Sequence, residues 1–150
     1  MLDAYREHVA ERAAQNIPPA PLSPEQVAEL VELIQAPPAG EESFLVELLT
    51  ERVPPGVDEA AYVKAGFLSS IATAETACAL IDREQAVSLL GNMLGGYNIG
   101  TLIALLDDDE VGASAARELK QTILVFDAFH DVQNLAENGS KNAQSVLESW

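Results

Sequence analysis

Residues 36–68 read APPAGEESFLVELLTERVPPGVDEAAYVKAGFL, and this stretch decides the fold class. It contains two near copies of one turn, APPAGEE at 36–42 and VPPGVDE at 53–59. In each copy two prolines precede a glycine and a pair of acids. Prolines end helices, and acids are favoured in the first turn of the next helix. The stretch therefore predicts helices that are joined by short turns.

The helical pattern continues along the whole chain. Apolar residues recur at the 3.6-residue spacing of helices, and no stretch alternates long enough to indicate a strand. Ser23, Asp58, Asp82 and Ser140 are the expected N-cap residues. The predicted helices span about 2–14, 24–35, 41–52, 59–74, 83–94, 99–106, 111–136 and 141–150. In the long seventh helix, the residues expected to face the core are Leu119, Ile123, Phe126, Phe129 and Val132.

Helix pairs recur about every 35–40 residues, which is close to the period of HEAT repeats. A chain of 150 residues with 48% apolar content suits one domain with one core. We therefore predict a single all-α domain, residues 1–150, built from stacked helical hairpins of the HEAT-like kind. Such stacks usually present a surface to another protein or domain.

Charge and cysteine content exclude several classes of function. The 24 acidic and eight basic residues give a formal net charge of −16, which disfavours binding to phosphate backbones. The single cysteine, Cys78, allows no intrachain disulfide and is expected to be a buried, reduced thiol. The charged N-terminus is unlike a signal peptide, and no apolar run could span a bilayer. We predict a soluble cytoplasmic protein.

The stretch GNMLGGYNIG at 91–100 raises the question of a phosphate-binding loop. Such a loop needs a following lysine or a preceding strand, and neither is predicted here. We expect a turn between helices instead, in which Gly95 and Gly96 adopt positive φ and Asn98 caps the next helix. A close approach of this backbone to another domain is the alternative, because glycine permits that as well.

Two clusters of polar side chains are candidate metal sites. Asp107, Asp108, Asp109 and Glu110 could bind a hard cation, although a solvated turn with capping acids is the expected structure. Asp127, His130 and Asp131 lie close together on a helix, where surface positions are expected. His8 and the acids at 25, 29 and 32 are also assigned structural or solvated roles. No catalytic motif is present.

Three strings together carry a family resemblance: MLDAYREHVAERAA (1–14), PPAGEESFLVELLTERVPPGVDEAAYVKAGFL (37–68) and LLGNMLGGYNIGTLIALLDD (89–108). They resemble the N-terminal helical domain of bacterial aconitase B, a bifunctional aconitate hydratase and 2-methylisocitrate dehydratase. The resemblance covers essentially the whole chain. It implies a non-catalytic HEAT-like domain that precedes the catalytic domains of a longer chain.

The resemblance also implies partners and a cofactor for the longer protein. The domain would form a protein-interaction surface and part of a substrate tunnel, and it would take part in iron-responsive dimerisation. Binding of mRNA would be a role of the full enzyme. The [4Fe–4S] cluster of aconitases is held by three cysteines, so its ligands would lie outside this chain. The expected interaction residues are those of the glycine turn and of the second Pro-Pro turn: Gly95, Gly96, Tyr97, Asn98, Pro54, Pro55 and Gly56.

Two other functions remain open at the level of sequence. One is a regulatory module that binds Fe²⁺ at residues 107–110 and then dimerises. The other is a free-standing helical adaptor that shares ancestry with the enzyme.

Overall fold

The computed structural model describes residues 1–150 as nine α-helices without a β-strand. Their bounds are α1 Leu2–Ala14, α2 Pro24–Gln35, α3 Glu42–Glu51, α4 Glu59–Ala72, α5 Arg83–Gly91, α6 Ile99–Ala104, α7 Gly112–Leu119, α8 Val125–Glu137 and α9 Lys141–Ser149. None of these helices has both the length and the apolar content needed to cross a bilayer. The predicted all-α fold is confirmed.

The helices pack mainly on neighbours in the chain, as in helical repeats. α2 packs on α3 and α4, α4 on α5, α5 on α7, and α7 and α8 on α9. The buried apolar side chains form one continuous cluster that extends from α1 to α9. The Arg6 guanidinium on α1 binds Glu41 and lies 4.3 Å above the Phe44 ring, which joins the first helix to α3.

The predicted helix starts are confirmed by side-chain caps. Ser23 with Gln26, and Asp82 with Gln85, form complete capping boxes at α2 and α5. Asp58 and Ser140 accept backbone N–H groups at the starts of α4 and α9. Each cap satisfies N–H groups that have no partner inside the helix, so these four positions set where the helices begin.

The predicted long helix 111–136 is wrong, because the structure divides it into α7 and α8. Two hydrogen bonds explain the break. The Thr122 hydroxyl accepts from Leu124 N at 3.1 Å, which competes with the helical pattern. Trp150 Nε1 donates to Leu119 O at 3.1 Å, so the C-cap residue of α9 supplies a side-chain partner to the last carbonyl of α7. The separate register of α8 buries Ala128, Val132 and Ala136.

The break exposes three residues that were expected in the core. Ile123 is 78% exposed and Phe126 is 97% exposed, while Phe129 is also exposed. Leu119 and Val132 are buried as predicted. Leaving side chains as large as phenylalanine in water forgoes the free energy that burial would supply. These residues are therefore candidates for contact with another surface.

Candidate functional site

The two turns expected to make interactions lie against each other in the structure. Leu94 N donates a hydrogen bond to Pro55 O at 2.8 Å, and the Tyr97 hydroxyl donates to Val57 O at 2.8 Å. A Cβ atom added at Gly95 would lie 2.1 Å from Gly56 O, so only glycine permits this approach. The sequence left open a close approach of this backbone to another domain, and the structure shows a close approach to the second Pro-Pro turn of this chain.

The glycine turn differs in two details from the prediction. Gly96 has the expected positive φ, at +92°, whereas Gly95 does not. Helix α5 also ends at Gly91 instead of continuing to residue 94. The turn places the Tyr97 ring edge-on against Tyr62, with 5.3 Å between ring centroids. Both tyrosines remain exposed beside the Pro-Pro-Gly turn.

Asn98 does not cap α6 with its side chain, which corrects the prediction for this residue. Its Nδ2 instead donates to Leu90 O at 2.6 Å and to Met93 O at 3.2 Å. These carbonyls lie at and just beyond the end of α5, where carbonyl groups lack helical partners. Asn98 is 2% exposed, and its Oδ1 has no hydrogen-bond partner.

The exposed apolar side chains are concentrated around these turns. Seven of the eight large apolar residues that are exposed fall on residues 57–62, 94–97 and 123–129, and the exception is Ile17. The segments are neighbours: Val57 lies beside Gly95, and Leu124 lies beside Gly96. We call this set the apolar face; its members are Val57, Tyr62, Leu94, Tyr97, Ile123, Phe126 and Phe129. An apolar surface of this kind commonly marks a contact with another protein or domain.

Sequence reasoning missed the third segment of this face because it placed Ile123, Phe126 and Phe129 in the core. A signal for the segment 94–97 was present, since residues 91–106 contain no charged side chain in a chain where 21% of residues are charged. The absence of charge over sixteen residues is compatible with a buried helix or with an interface. Only the positions of the neighbouring helices distinguish the two.

Comparison with known proteins decides the family. Residues 4–150 match the family described as the aconitate B N-terminal domain. The chain belongs to this family. Aconitate hydratase B of Pseudomonas aeruginosa is 62% identical over all 150 residues of this chain, and that of Escherichia coli is 57% identical. The Helicobacter pylori aconitate hydratase B is 40% identical over 99% of the chain.

The match is confined to one part of those enzymes. The chain spans 17% of the length of the Pseudomonas and Escherichia relatives and 18% of the Helicobacter relative. It therefore corresponds to the N-terminal domain of aconitate hydratase B and contains no catalytic domain of that lyase. The family resemblance carried by the three sequence strings is confirmed.

The residues of this aconitase B N-terminal domain do not fit the [4Fe–4S] cluster that the resemblance implies for the longer enzyme. Such a cluster is held by cysteine thiolates, and this chain contains Cys78 alone. Cys78 is half-buried in the connection between α4 and α5, not fully buried as expected. No three His, Cys, Asp or Glu side chains are grouped so that they could hold a metal ion.

The acidic turn 107–110 is organised by an arginine. Arg83 Nη2 donates to Asp108 Oδ2 at 2.6 Å, and Arg83 Nη1 donates to Glu110 Oε2 at 2.7 Å. Asp108 Oδ1 accepts from Glu110 N and Val111 N, as expected of a capping acid. The hydrogen bond from Arg83, with these backbone bonds, lowers the pKa of Asp108 to about 2. Two of the four carboxylates are thus already paired.

The remaining histidines have structural or surface positions. His8 Nε2 accepts a hydrogen bond from Ala20 N at 2.9 Å and lies beside the Tyr5 ring, which confirms a satisfied histidine. Asp127, His130 and Asp131 are exposed on α8, with the His130 ring edge-on to Phe129. The acids at 25, 29 and 32 are exposed on α2, as predicted. The apolar face is therefore the strongest candidate site.

Proposed function

We propose that this chain is the non-catalytic N-terminal domain of an aconitate hydratase B and that its apolar face packs against the other domains of the same polypeptide. The observation that carries this proposal is the grouping of seven exposed apolar side chains on three adjacent segments. Covering Phe126 alone would stabilise the contact by about 1.5–3 kcal/mol.

The length of the relatives supports an occupant from the same chain. Each matched aconitate hydratase B contains roughly five times as much polypeptide outside the matched segment as within it. Those parts would carry the hydro-lyase reaction that interconverts citrate and isocitrate through cis-aconitate in the tricarboxylic acid cycle. They would also hold the [4Fe–4S] cluster. The expected interaction residues Gly95 to Asn98 and Pro54 to Gly56 would then position the face and form part of the contact.

Other roles remain predictions from the family resemblance. A domain that packs on the catalytic domains could also form a wall of the substrate tunnel, and a homodimer could use a surface outside the apolar face. Binding of mRNA belongs to the full-length enzyme, because the net charge of −16 disfavours it for this chain. No observation favours the Fe²⁺ module, since Arg83 already pairs with Asp108 and Glu110.

The proposal is tested by one substitution made in two settings. The first setting is the isolated chain. The second is a chimera, defined as the Pseudomonas aeruginosa enzyme with this chain in place of its matched 150 residues. Phe126→Ser should leave the melting temperature of the isolated chain within about 2 °C of the parent, because the side chain is 97% exposed. In the chimera, calorimetry should show this domain destabilised by about 1.5–3 kcal/mol.

Ile17→Ser is the matched control, since Ile17 is exposed but lies outside the apolar face. Its effect should be the same in the isolated chain and in the chimera. If Phe126→Ser also has equal effects in both settings, the apolar face is not covered by the other domains. A free-standing adaptor would then be the better account.

A further inference from the structure

A small cavity opens beneath the apolar face. It has a volume of about 40 Å³, and its lining includes Leu94, Asn98, Glu118, Gln121 and Ile123. Leu94 and Ile123 are both largely exposed, so they lie at its mouth. The other three residues bring polar side chains to the cavity from different elements: Asn98 precedes α6, Glu118 lies on α7, and Gln121 follows α7.

One buried oxygen acceptor at this cavity has no hydrogen-bond donor, and a carboxylate beside it is weakly paired. Asn98 Oδ1 has no hydrogen-bond partner although the residue is almost completely buried, because Nδ2 is the atom bound to the Leu90 and Met93 carbonyls. The Glu118 side chain is 11% exposed, and its one ion pair is Arg117 Nε at 3.5 Å. Native proteins seldom leave buried acceptors unpaired unless a water, an ion or a ligand completes the site.

Gly91 makes room for the carboxylate at this position. A Cβ atom added at Gly91 would lie 2.2 Å from Glu118 Oε2, so the carboxylate rests directly on the glycine backbone. A larger residue there would displace Glu118 from the cavity. The chain thus places a largely buried carboxylate and an unpaired amide oxygen at one cavity, beneath the surface that we propose to be an interface.

We propose that the cavity accepts the ammonium group of a lysine from the domain that docks on the apolar face, an inference that rests on the proposed function above. The volume accommodates a water-sized group. An ammonium group has three rotatable donors, which suits acceptors that come from separate elements and do not share a plane. The four methylene groups of the lysine pass between Leu94 and Ile123, where they are shielded from water.

The charge of the chain favours this occupant over a neutral one. A docked surface would remove Glu118 from solvent, and a buried carboxylate is tolerated when a cation pairs with it. The chain has a net charge of −16, so a partner surface that carries positive charge would complement it. A guanidinium fits less well, because a volume of about 40 Å³ accommodates a compact ammonium group better than the larger planar fork of an arginine.

The test measures the reactivity of lysines in the chimera with an amine-acylating reagent, mapped by mass spectrometry. One lysine outside the first 150 residues should react slowly in the parent and about tenfold faster in Glu118→Gln, which removes the charge at constant shape. Glu148→Gln is the matched control, because Glu148 is exposed on α9 and its loss changes the net charge equally. In that variant the same lysine should still react slowly with the acylating reagent.

The outcomes separate the two proposals. If Phe126→Ser destabilises the chimera but no lysine reacts faster in Glu118→Gln, the proposed interface is supported and the proposed lysine contact is contradicted. A lysine that responds equally to Glu118→Gln and Glu148→Gln also overturns it, because the effect then follows overall charge. If Phe126→Ser has the same effect in the chimera as in the isolated chain, both the proposed interface and the proposed lysine contact are contradicted. Melting of isolated Glu118→Gln within a few degrees of the parent confirms that the variant folds.

Discussion

Gly95→Ala is expected to destabilise the domain through a single added methyl group. The new Cβ atom would lie 2.1 Å from Gly56 O and 2.5 Å from the Gly56 carbonyl carbon, so one of the two turns must move. Overpacking of this kind costs about 1–3 kcal/mol, and loss of the Leu94 N to Pro55 O hydrogen bond adds about 1 kcal/mol. The backbone at Gly95 has no positive φ, so the effect is steric.

The expected total of about 2–4 kcal/mol corresponds to a fall in melting temperature of roughly 5–15 °C for a domain of this size. Urea unfolding followed by circular dichroism at 25 °C measures the free energy directly. Gly100→Ala is the matched control, because a Cβ atom there meets nothing within 4 Å and the residue lies in α6. That variant should be stabilised by up to about 1 kcal/mol. If Gly95→Ala melts within 1–2 °C of the parent, the two turns are not in the contact described.

Three further predictions concern polar contacts. Asp108→Asn should lose about 1–2 kcal/mol of stability at pH 7. Because the pKa of Asp108 is lowered to about 2, the parent should lose this contribution to stability as pH falls from about 4 to 2. Acid unfolding of the variant should therefore depend less on pH over this range. Asn98→Ala should cost about 1–3 kcal/mol in urea unfolding, since the Leu90 and Met93 carbonyls lose the side-chain donor that Asn98 supplies. An unchanged midpoint would contradict that role. Trp150→Phe removes the donor to Leu119 O, so hydrogen exchange should quicken at the end of α7 and remain unchanged in α2.

Much of the fold could be predicted because its signals are local. Ser23, Asp58, Asp82 and Ser140 each cap a helix through contacts within three residues, so sequence spacing is sufficient to locate them. The Pro-Pro turns act in the same local way. The break between α7 and α8 could not be found, because Trp150 reaches the Leu119 carbonyl from 31 residues away. The periodic spacing of apolar residues continues through this break, so no residue pattern in the sequence marks it.

The candidate site was predictable only in part. The glycine turn and the second Pro-Pro turn were selected from their residue types, and the structure brings them into contact. The rest of the apolar face depends on the register of α8, which decides whether Phe126 points to the core or to solvent. Because the sequence pattern assigns Ile123 to the core, no local signal could place it beside Leu94. The pairing of Arg83 with Asp108 is likewise a tertiary contact, 25 residues apart.

Hydrogen exchange at the glycine turn tests most directly whether the apolar face is covered in the longer protein. Backbone amides of residues 94–98 would be compared in the isolated chain and in the chimera, with the amides of α2 as an internal reference. The account predicts at least tenfold slower exchange at these residues in the chimera and no change in α2. Equal exchange rates at residues 94–98 in the two proteins would contradict the proposed interface.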